Sequence, residues 1–160
     1  PHLVALAGPS QLARLQLATE VASRTGCTHL TLGPDENNTQ PLHCGFDEQT
    51  AALATAAEKL QPENLPAGPT ISDFWFDALL MHALSTLDSS QLAEYERSWA
   101  EHHRTVARPR VIVIIEEEPF SESKSALQQQ AAGQGAQLVL DTDDFEQQIT
   151  EITAALLACK

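Results

Sequence analysis

The chain has 160 residues, a length that favours one domain and is sufficient to bury a hydrophobic core. Nine Lys and Arg residues stand against 22 Asp and Glu residues, giving a net charge of −13. A surface this negative repels nucleic-acid backbones and anionic lipid, and no apolar run reaches the roughly 18 residues of a membrane span, so we expect neither a nucleic-acid nor a membrane partner.

The opening segment predicts a strand, a glycine turn and a helix. Residues 3–7 form an apolar run that ends at Gly8, as a buried strand entering a turn does. The helix that follows ends at the C-cap residue Gly26, and its predicted buried face consists of Leu12, Leu15, Thr19 and Ala22.

The next segment predicts a second strand and a second helix. Residues 28–32 predict the strand, and residues 33–45, rich in Gly, Pro, Asp and Asn, predict a loop. The Ala-rich stretch 47–60 predicts a helix whose inward residues are Leu53, Ala57 and Leu60. Three prolines and a glycine make residues 61–69 a connector.

The middle of the chain predicts one very short strand and two helices. Residues 70–72 predict the strand and residues 74–87 the first helix. Asp88 caps the second helix, with Gln91 in the capping-box position. The buried stripe of this helix is predicted to consist of Leu92, Tyr95 and Trp99.

Two strands and a helix are predicted in the last third. Residues 111–115 are β-branched throughout and predict a buried parallel strand, whereas residues 116–137 are polar and carry no predicted element. Residues 138–140 predict a last strand, and Asp143 with Glu146 caps a helix with the stripe Phe145, Ile149, Ile152 and Leu156. This alternation predicts a three-layer α/β domain over residues 1–160, with a short parallel sheet of about five strands covered by helices.

The cysteines and histidines predict neither disulfides nor a metal site. Cys27, Cys44 and Cys159 are odd in number and lack a CxxC spacing, and no basic-then-apolar leader follows Pro1, so we expect reduced thiols in a cytoplasmic protein. The pair His43-Cys44 has no second pair at a recognisable spacing, whereas a closed zinc site needs about four ligands.

Several short motifs occur in order between residues 70 and 119: Ser72-Asp73, FDALLMHA, LAEYE, RPR and VIVII. They resemble the bacterial deoxynucleoside kinases, in which a strand ending in Ser-Asp leads to an FDK…FA helix, an L…LYE helix, an RPD turn and an apolar strand. LVALAGPSQLARLQLATEVASRTG resembles the family's P-loop strand and first helix, and DTDDFEQQITEI its last strand-to-helix junction. The resemblance implies a P-loop kinase fold, and members of this family use ATP and Mg²⁺.

The phosphate-binding motif of such a kinase is altered in this chain. Read from Gly8, the pattern G-x-x-x-x-G-K-[ST] falls on Ala13, Arg14 and Leu15. Ala13 stands where the second glycine is needed, Arg14 keeps the charge of the lysine but not its compact geometry, and Leu15 offers no oxygen to magnesium. We interpret these four residues as a degenerate nucleotide-binding loop.

Other positions that the resemblance implies are changed as well. The family's EP-x-EN element, whose first Glu is the general base, corresponds to GPDEN from Gly33, and the lysine of FDK corresponds to Ala78. The family's lid carries arginines, but no arginine follows residue 110. No catalytic residue is therefore predicted, and Asp73, Asp35 and Glu36 are the candidates if the chain is active. Asp73 is either a polar site residue or the N-cap of the next helix.

The sequence thus predicts a catalytically inactive deoxynucleoside-kinase-like protein, a pseudokinase without a cofactor, that acts as a binding, regulatory or dimer-partner subunit. The resemblance implies a homodimer or heterodimer through the helices in 74–104, and a nucleoside is a small-molecule ligand to test. The alternative is an active (deoxy)nucleoside kinase that uses ATP and Mg²⁺ at a rebuilt phosphate site, with Arg14 in place of the lysine.

Overall fold

The computed structural model describes residues 2–32, 45–115 and 121–159. These residues form the elements β1 (Leu3–Ala7), α1 (Gln11–Thr25), β2 (Thr28–Leu30), α2 (Phe46–Lys59), β3 (Thr70–Ser72), α3 (Phe76–Thr86), α4 (Ser89–His103), β4 (Val111–Ile115), α5 (Ser121–Ala131), β5 (Ala136–Leu140) and α6 (Phe145–Ala158). A single 3-10 turn lies at Pro62–Asn64 in the connector before β3. Within these described ranges, no helix is both long and apolar enough to cross a membrane.

The five strands form one parallel sheet in the order β2-β3-β1-β4-β5. Val4 of β1 pairs with Ile71 of β3 on one side and with Val111 of β4 on the other. Strand β4 thus lies between two neighbours, and residues 112–115 are buried, which is why both of its faces are apolar. The predicted α/β fold with a short parallel sheet is confirmed.

Contacts divide the chain into two compact units. The first unit comprises residues 1–31, 66–75 and 108–160 and holds the sheet with α1, α5 and α6. The second comprises residues 32–65 and 76–107 and holds α2, α3 and α4. Each unit is assembled from segments that lie far apart in the sequence. One domain over residues 1–160 stays a prediction.

The buried face of α1 differs from the predicted one. Leu17, Ala18 and Val21 are at most 1% exposed and belong to the core beneath the sheet, whereas Leu12 is 63% exposed. Helix α1 carries two apolar stripes, and spacing alone does not show which stripe meets the sheet. The sheet covers the stripe with the β-branched Val21, and the prediction was wrong for Leu12 and Thr19, which are exposed, while Leu15 and Ala22 are half-buried.

The C-terminal elements differ from the prediction in four details, one of which is that β5 begins at Ala136 and not at Leu138. Helix α5 occupies a polar stretch in which no helix was predicted, because that stretch shows no apolar period. The N-cap of α6 is Asp144, whose carboxylate accepts a hydrogen bond from the Gln147 amide at 2.9 Å, rather than Asp143. Phe145 is 42% exposed, while the rest of the predicted stripe is buried.

The second unit is a packed set of three helices, α2, α3 and α4. The predicted inward residues of the first are all buried: Leu53, Ala57 and Leu60. Asp88 caps α4 as predicted, with its Oδ1 accepting from the amides of Ser90 at 3.0 Å and Gln91 at 2.9 Å. In the predicted stripe of α4, Tyr95 is buried and the other two residues are half-buried.

Candidate functional site

The turn after β1 contains three residues, Gly8, Pro9 and Ser10, and α1 begins at Gln11. Ser10 is the N-cap: its Oγ accepts a hydrogen bond from the Ala13 amide at 3.1 Å. The Arg14 amide donates to the Ser10 carbonyl at 3.2 Å. Residues 13–15, on which the motif pattern read from Gly8 falls, therefore lie inside the helix, and two of their amides have partners in the turn.

Gly8 is required by packing. Its φ is +155°, and a Cβ at this position would lie 2.9 Å from the carbonyl oxygen of Ile115 and 3.2 Å from that residue's Cβ. A side chain at position 8 would therefore collide with the carboxyl end of β4. The structure explains this glycine without a bound phosphate.

Arg14 turns its guanidinium group toward the backbone of the carboxyl edge of the sheet. Its Nε donates to the main-chain carbonyl of Asp73 at 2.9 Å, and Nη1 donates to the carbonyl of Gly8. Arg14 is half-buried. The Arg14 side chain thus joins the ends of β1 and β3.

Asp73 makes three contacts at the same edge, two with β2 and one with α1. Its amide donates to the carbonyl of Leu30 at 3.1 Å, its carbonyl accepts from Arg14, and its Oδ2 lies 3.0 Å from Nε2 of His29. The Asp73 side chain is 9% exposed and that of His29 is 18% exposed. Helix α3 begins at Phe76, three residues after Asp73, so Asp73 is not its N-cap. The Asp73 carboxylate bonds to His29 instead.

The remaining predicted positions are not part of this group. Asp35 and Glu36 lie outside the described residues, as do Gly33 and the pair His43-Cys44. Leu15 is half-buried on α1, and Ala78 lies on α3. Sequence reasoning missed His29. Its partner became apparent only from the sheet, in which β2 pairs with β3.

A second polar group lies in the second unit and was also missed. The rings of Trp99 and His103 stack with centroids 4.4 Å apart, and Phe76 lies beside both at 6.2 and 6.3 Å. Nε2 of His103 is 3.2 Å from Oδ1 of Asp77, whose side chain is only 3% exposed. Across the described part of the chain, no group of three or more His, Cys, Asp or Glu side chains is placed to hold a metal ion.

Comparisons with known proteins support the fold. No family model and no curated protein matches the sequence. Among solved structures, the chain resembles deoxyadenosine kinase from M. mycoides with the products dCMP and a flexible dCDP bound, at a TM-score of 0.73 and 14% identity, covering 99% of this chain and 100% of that one.

Two further structures of deoxyadenosine kinase from M. mycoides match over almost the full length of both chains. With dCTP bound, the TM-score is 0.70 at 13% identity, covering 98% of this chain and 99% of that one. With dATP bound, the TM-score is 0.67 at 15% identity, covering 97% and 99%. The chain therefore has the fold of the deoxynucleoside kinases.

Proposed function

We propose that this chain is a catalytically inactive deoxynucleoside-kinase-like protein that acts as a binding, regulatory or dimer-partner subunit. The observation that carries the proposal is the turn after β1. Phosphoryl transfer needs loop amides and a lysine around the phosphates and a hydroxyl on Mg²⁺. Here the Ala13 amide is bonded to Ser10 Oγ, the Arg14 guanidinium is bonded to backbone carbonyls, and Leu15 has no hydroxyl.

The test is ligand-dependent thermal unfolding with Mg-ATP and with each deoxynucleoside. A ligand at ten times its Kd adds about 1.4 kcal/mol, which raises the Tm of a chain of this length by several degrees. Deoxyadenosine kinase from M. mycoides, which shares the fold, is the positive control. We expect no rise in Tm with Mg-ATP. A rise with a deoxynucleoside alone supports a binding subunit, and a rise with Mg-ATP contradicts the proposal.

The second candidate is an active kinase at a rebuilt site. Asp73 favours it, because this carboxylate lies at the carboxyl end of β3, the edge at which ligands of α/β sheets usually bind. Against it, Oδ2 of Asp73 is already bonded to His29. The test is transfer of labelled phosphate from ATP to a deoxynucleoside. Transfer by the unaltered protein, with no transfer by Asp73→Asn, would establish the active kinase.

We further propose a homodimer through the helices in 74–104. Helix α3 is apolar on most of its surface: Leu79, Leu80 and Met81 are half-buried and Leu84 is 53% exposed. A helix that is apolar all round is normally covered. Light scattering at tens of micromolar protein should give twice the mass of one chain, and the Leu84→Glu variant should give the mass of one chain. Ser85→Glu, at the exposed neighbouring position, is the control. A monomeric mass contradicts a homodimer.

A further inference from the structure

The place that the Arg14 guanidinium fills is lined by hydrogen-bond acceptors. The carbonyl oxygens of Gly8 and Asp73 both point at its N–H groups. Carbonyl oxygens carry the negative ends of peptide dipoles, so they attract cationic donors and repel the oxygens of a phosphate. This part of the sheet edge therefore has the polarity of a cation site.

The surrounding groups reinforce this polarity. Asp73 supplies one of the two carbonyls, and its side-chain carboxylate adds a negative charge nearby. This carboxylate accepts a hydrogen bond from His29. In the first turn of α1, the Ala13 amide donates to Ser10 Oγ and the Arg14 amide donates to the Ser10 carbonyl. Two of the amides near the start of α1 are thus used within the turn.

The two acceptors also match the shape of a guanidinium group. Nε and Nη1 of Arg14 are two donors of one rigid plane, and each meets a carbonyl from a different strand end. An ammonium group is a compact point charge and does not present this fork. The pair of carbonyls thus selects a planar, bidentate cation.

We propose that Arg14 is an internal occupant of the carboxyl edge, and that the place between the ends of β1 and β3 is a site for a guanidinium group, through which Arg14 holds these two strand ends together. This inference rests on the proposed loss of the phosphate site. It predicts that a truncated Arg14 side chain can be replaced by a small guanidinium compound added in solution.

The experiment is chemical rescue of Arg14→Ala followed by thermal unfolding. The alanine variant lacks Cγ, Cδ and the guanidinium group of Arg14, and ethylguanidinium supplies the same groups of atoms. The control variant is Arg97→Ala, which truncates an exposed arginine on α4. We expect Arg14→Ala to lower the Tm by about 4 °C or more and Arg97→Ala to leave it nearly unchanged. At concentrations well below those that denature proteins, ethylguanidinium should raise the Tm of Arg14→Ala until the site is saturated. It should not raise the Tm of the unaltered protein or of Arg97→Ala. Propylammonium should not raise the Tm of Arg14→Ala.

Three results would overturn the inference: equal Tm values for the two alanine variants, the same response of all proteins to ethylguanidinium, or stabilisation of Arg14→Ala by tripolyphosphate. If Arg14→Ala does not fold, Arg14→Lys is compared with Arg97→Lys. A lower Tm for Arg14→Lys supports the inference, and equal values overturn it. Binding of Mg-ATP to the unaltered protein would contradict the proposed function and remove the premise of this inference, whereas equal Tm values for the two alanine variants would overturn the inference alone, so the two failures are distinguishable.

Discussion

Nε2 of His29 in β2 lies 3.0 Å from Oδ2 of Asp73, which follows β3. Both side chains are largely shielded from water, at 18% and 9% exposure. The backbone amide of Asp73 bonds to Leu30, one residue beyond His29, so the side-chain contact and a main-chain hydrogen bond join the same two strands. The pair therefore joins the carboxyl ends of β2 and β3. Each of these strands is only three residues long.

The first prediction concerns this pair. His29→Ala should lower the free energy of unfolding by about 1–2 kcal/mol, because it leaves a shielded carboxylate oxygen without its donor. Urea unfolding followed by circular dichroism measures the loss. His102→Ala on α4 is the control and should change stability by less than about 0.5 kcal/mol. Equal losses in the two variants would show that the contact contributes nothing.

The sequence did not reveal this pair because its two members are 44 positions apart. The sequence predicts that Asp73 is a polar residue at the end of a strand, and the structure places it directly after β3. His29 carried no motif, and its proximity follows from the strand order, in which β2 pairs with β3 and not with β1. Strand order depends on long-range packing that one sequence does not display.

A second prediction tests which face of α1 is buried. Leu17→Ala should destabilise the protein by about 2–5 kcal/mol, because Leu17 is 1% exposed and its truncation leaves a cavity beside Val21 and Ile71. Leu12→Ala should change stability by less than about 0.5 kcal/mol, because Leu12 is 63% exposed. Urea unfolding of both variants makes the comparison. The reverse order would mean that the face with Leu12 is the buried one.

The elements themselves were more predictable than the faces they bury. The apolar runs at β1 and β4 and the capped start of α4 carried local signals, and each lies where the sequence predicted. Helix α5 had no such signal: its stretch is rich in Ser and Gln. Such a helix depends on its contact with β4 more than on its own pattern.

The third prediction concerns Asp77 and His103 in the second unit. Oδ2 of Asp77 and Nε1 of Trp99 are buried and have no hydrogen bond within the part of the chain that the structure describes. Among those residues, His103 is thus the one partner of the Asp77 carboxylate. His103→Ala should cost about 2–3 kcal/mol, because it leaves a buried charge unpaired. Urea unfolding measures this loss.

A double-mutant cycle with Asp77→Asn separates the charge from the ring stacking. If the unpaired carboxylate causes the loss, His103→Ala should cost less in the Asp77→Asn background, by at least about 1 kcal/mol. The same cost in both backgrounds would assign the whole effect to the stacking of His103 on Trp99, whose centroids are 4.4 Å apart.

The last prediction is an alkaline loss of stability through Tyr95. Burial raises the pKa of Tyr95 well above the ordinary value of about 10. Above pH 10 the unfolded chain releases the phenolic proton while the folded chain retains it, so the folded state binds more protons and its stability falls as pH rises. This contribution is complete below about pH 10 and is lost progressively above it.

Tyr95 is the only tyrosine in the chain, so tyrosinate absorbance reports this residue alone. In the native protein the absorbance should appear at higher pH than in denaturant, and together with the loss of the circular dichroism signal, because the phenol ionises only when the second unit opens. Tyr95→Phe should show no such absorbance and a smaller fall in stability between neutral and alkaline pH. Coincident titration in native and denatured protein would mean that water reaches the Tyr95 hydroxyl in the folded chain.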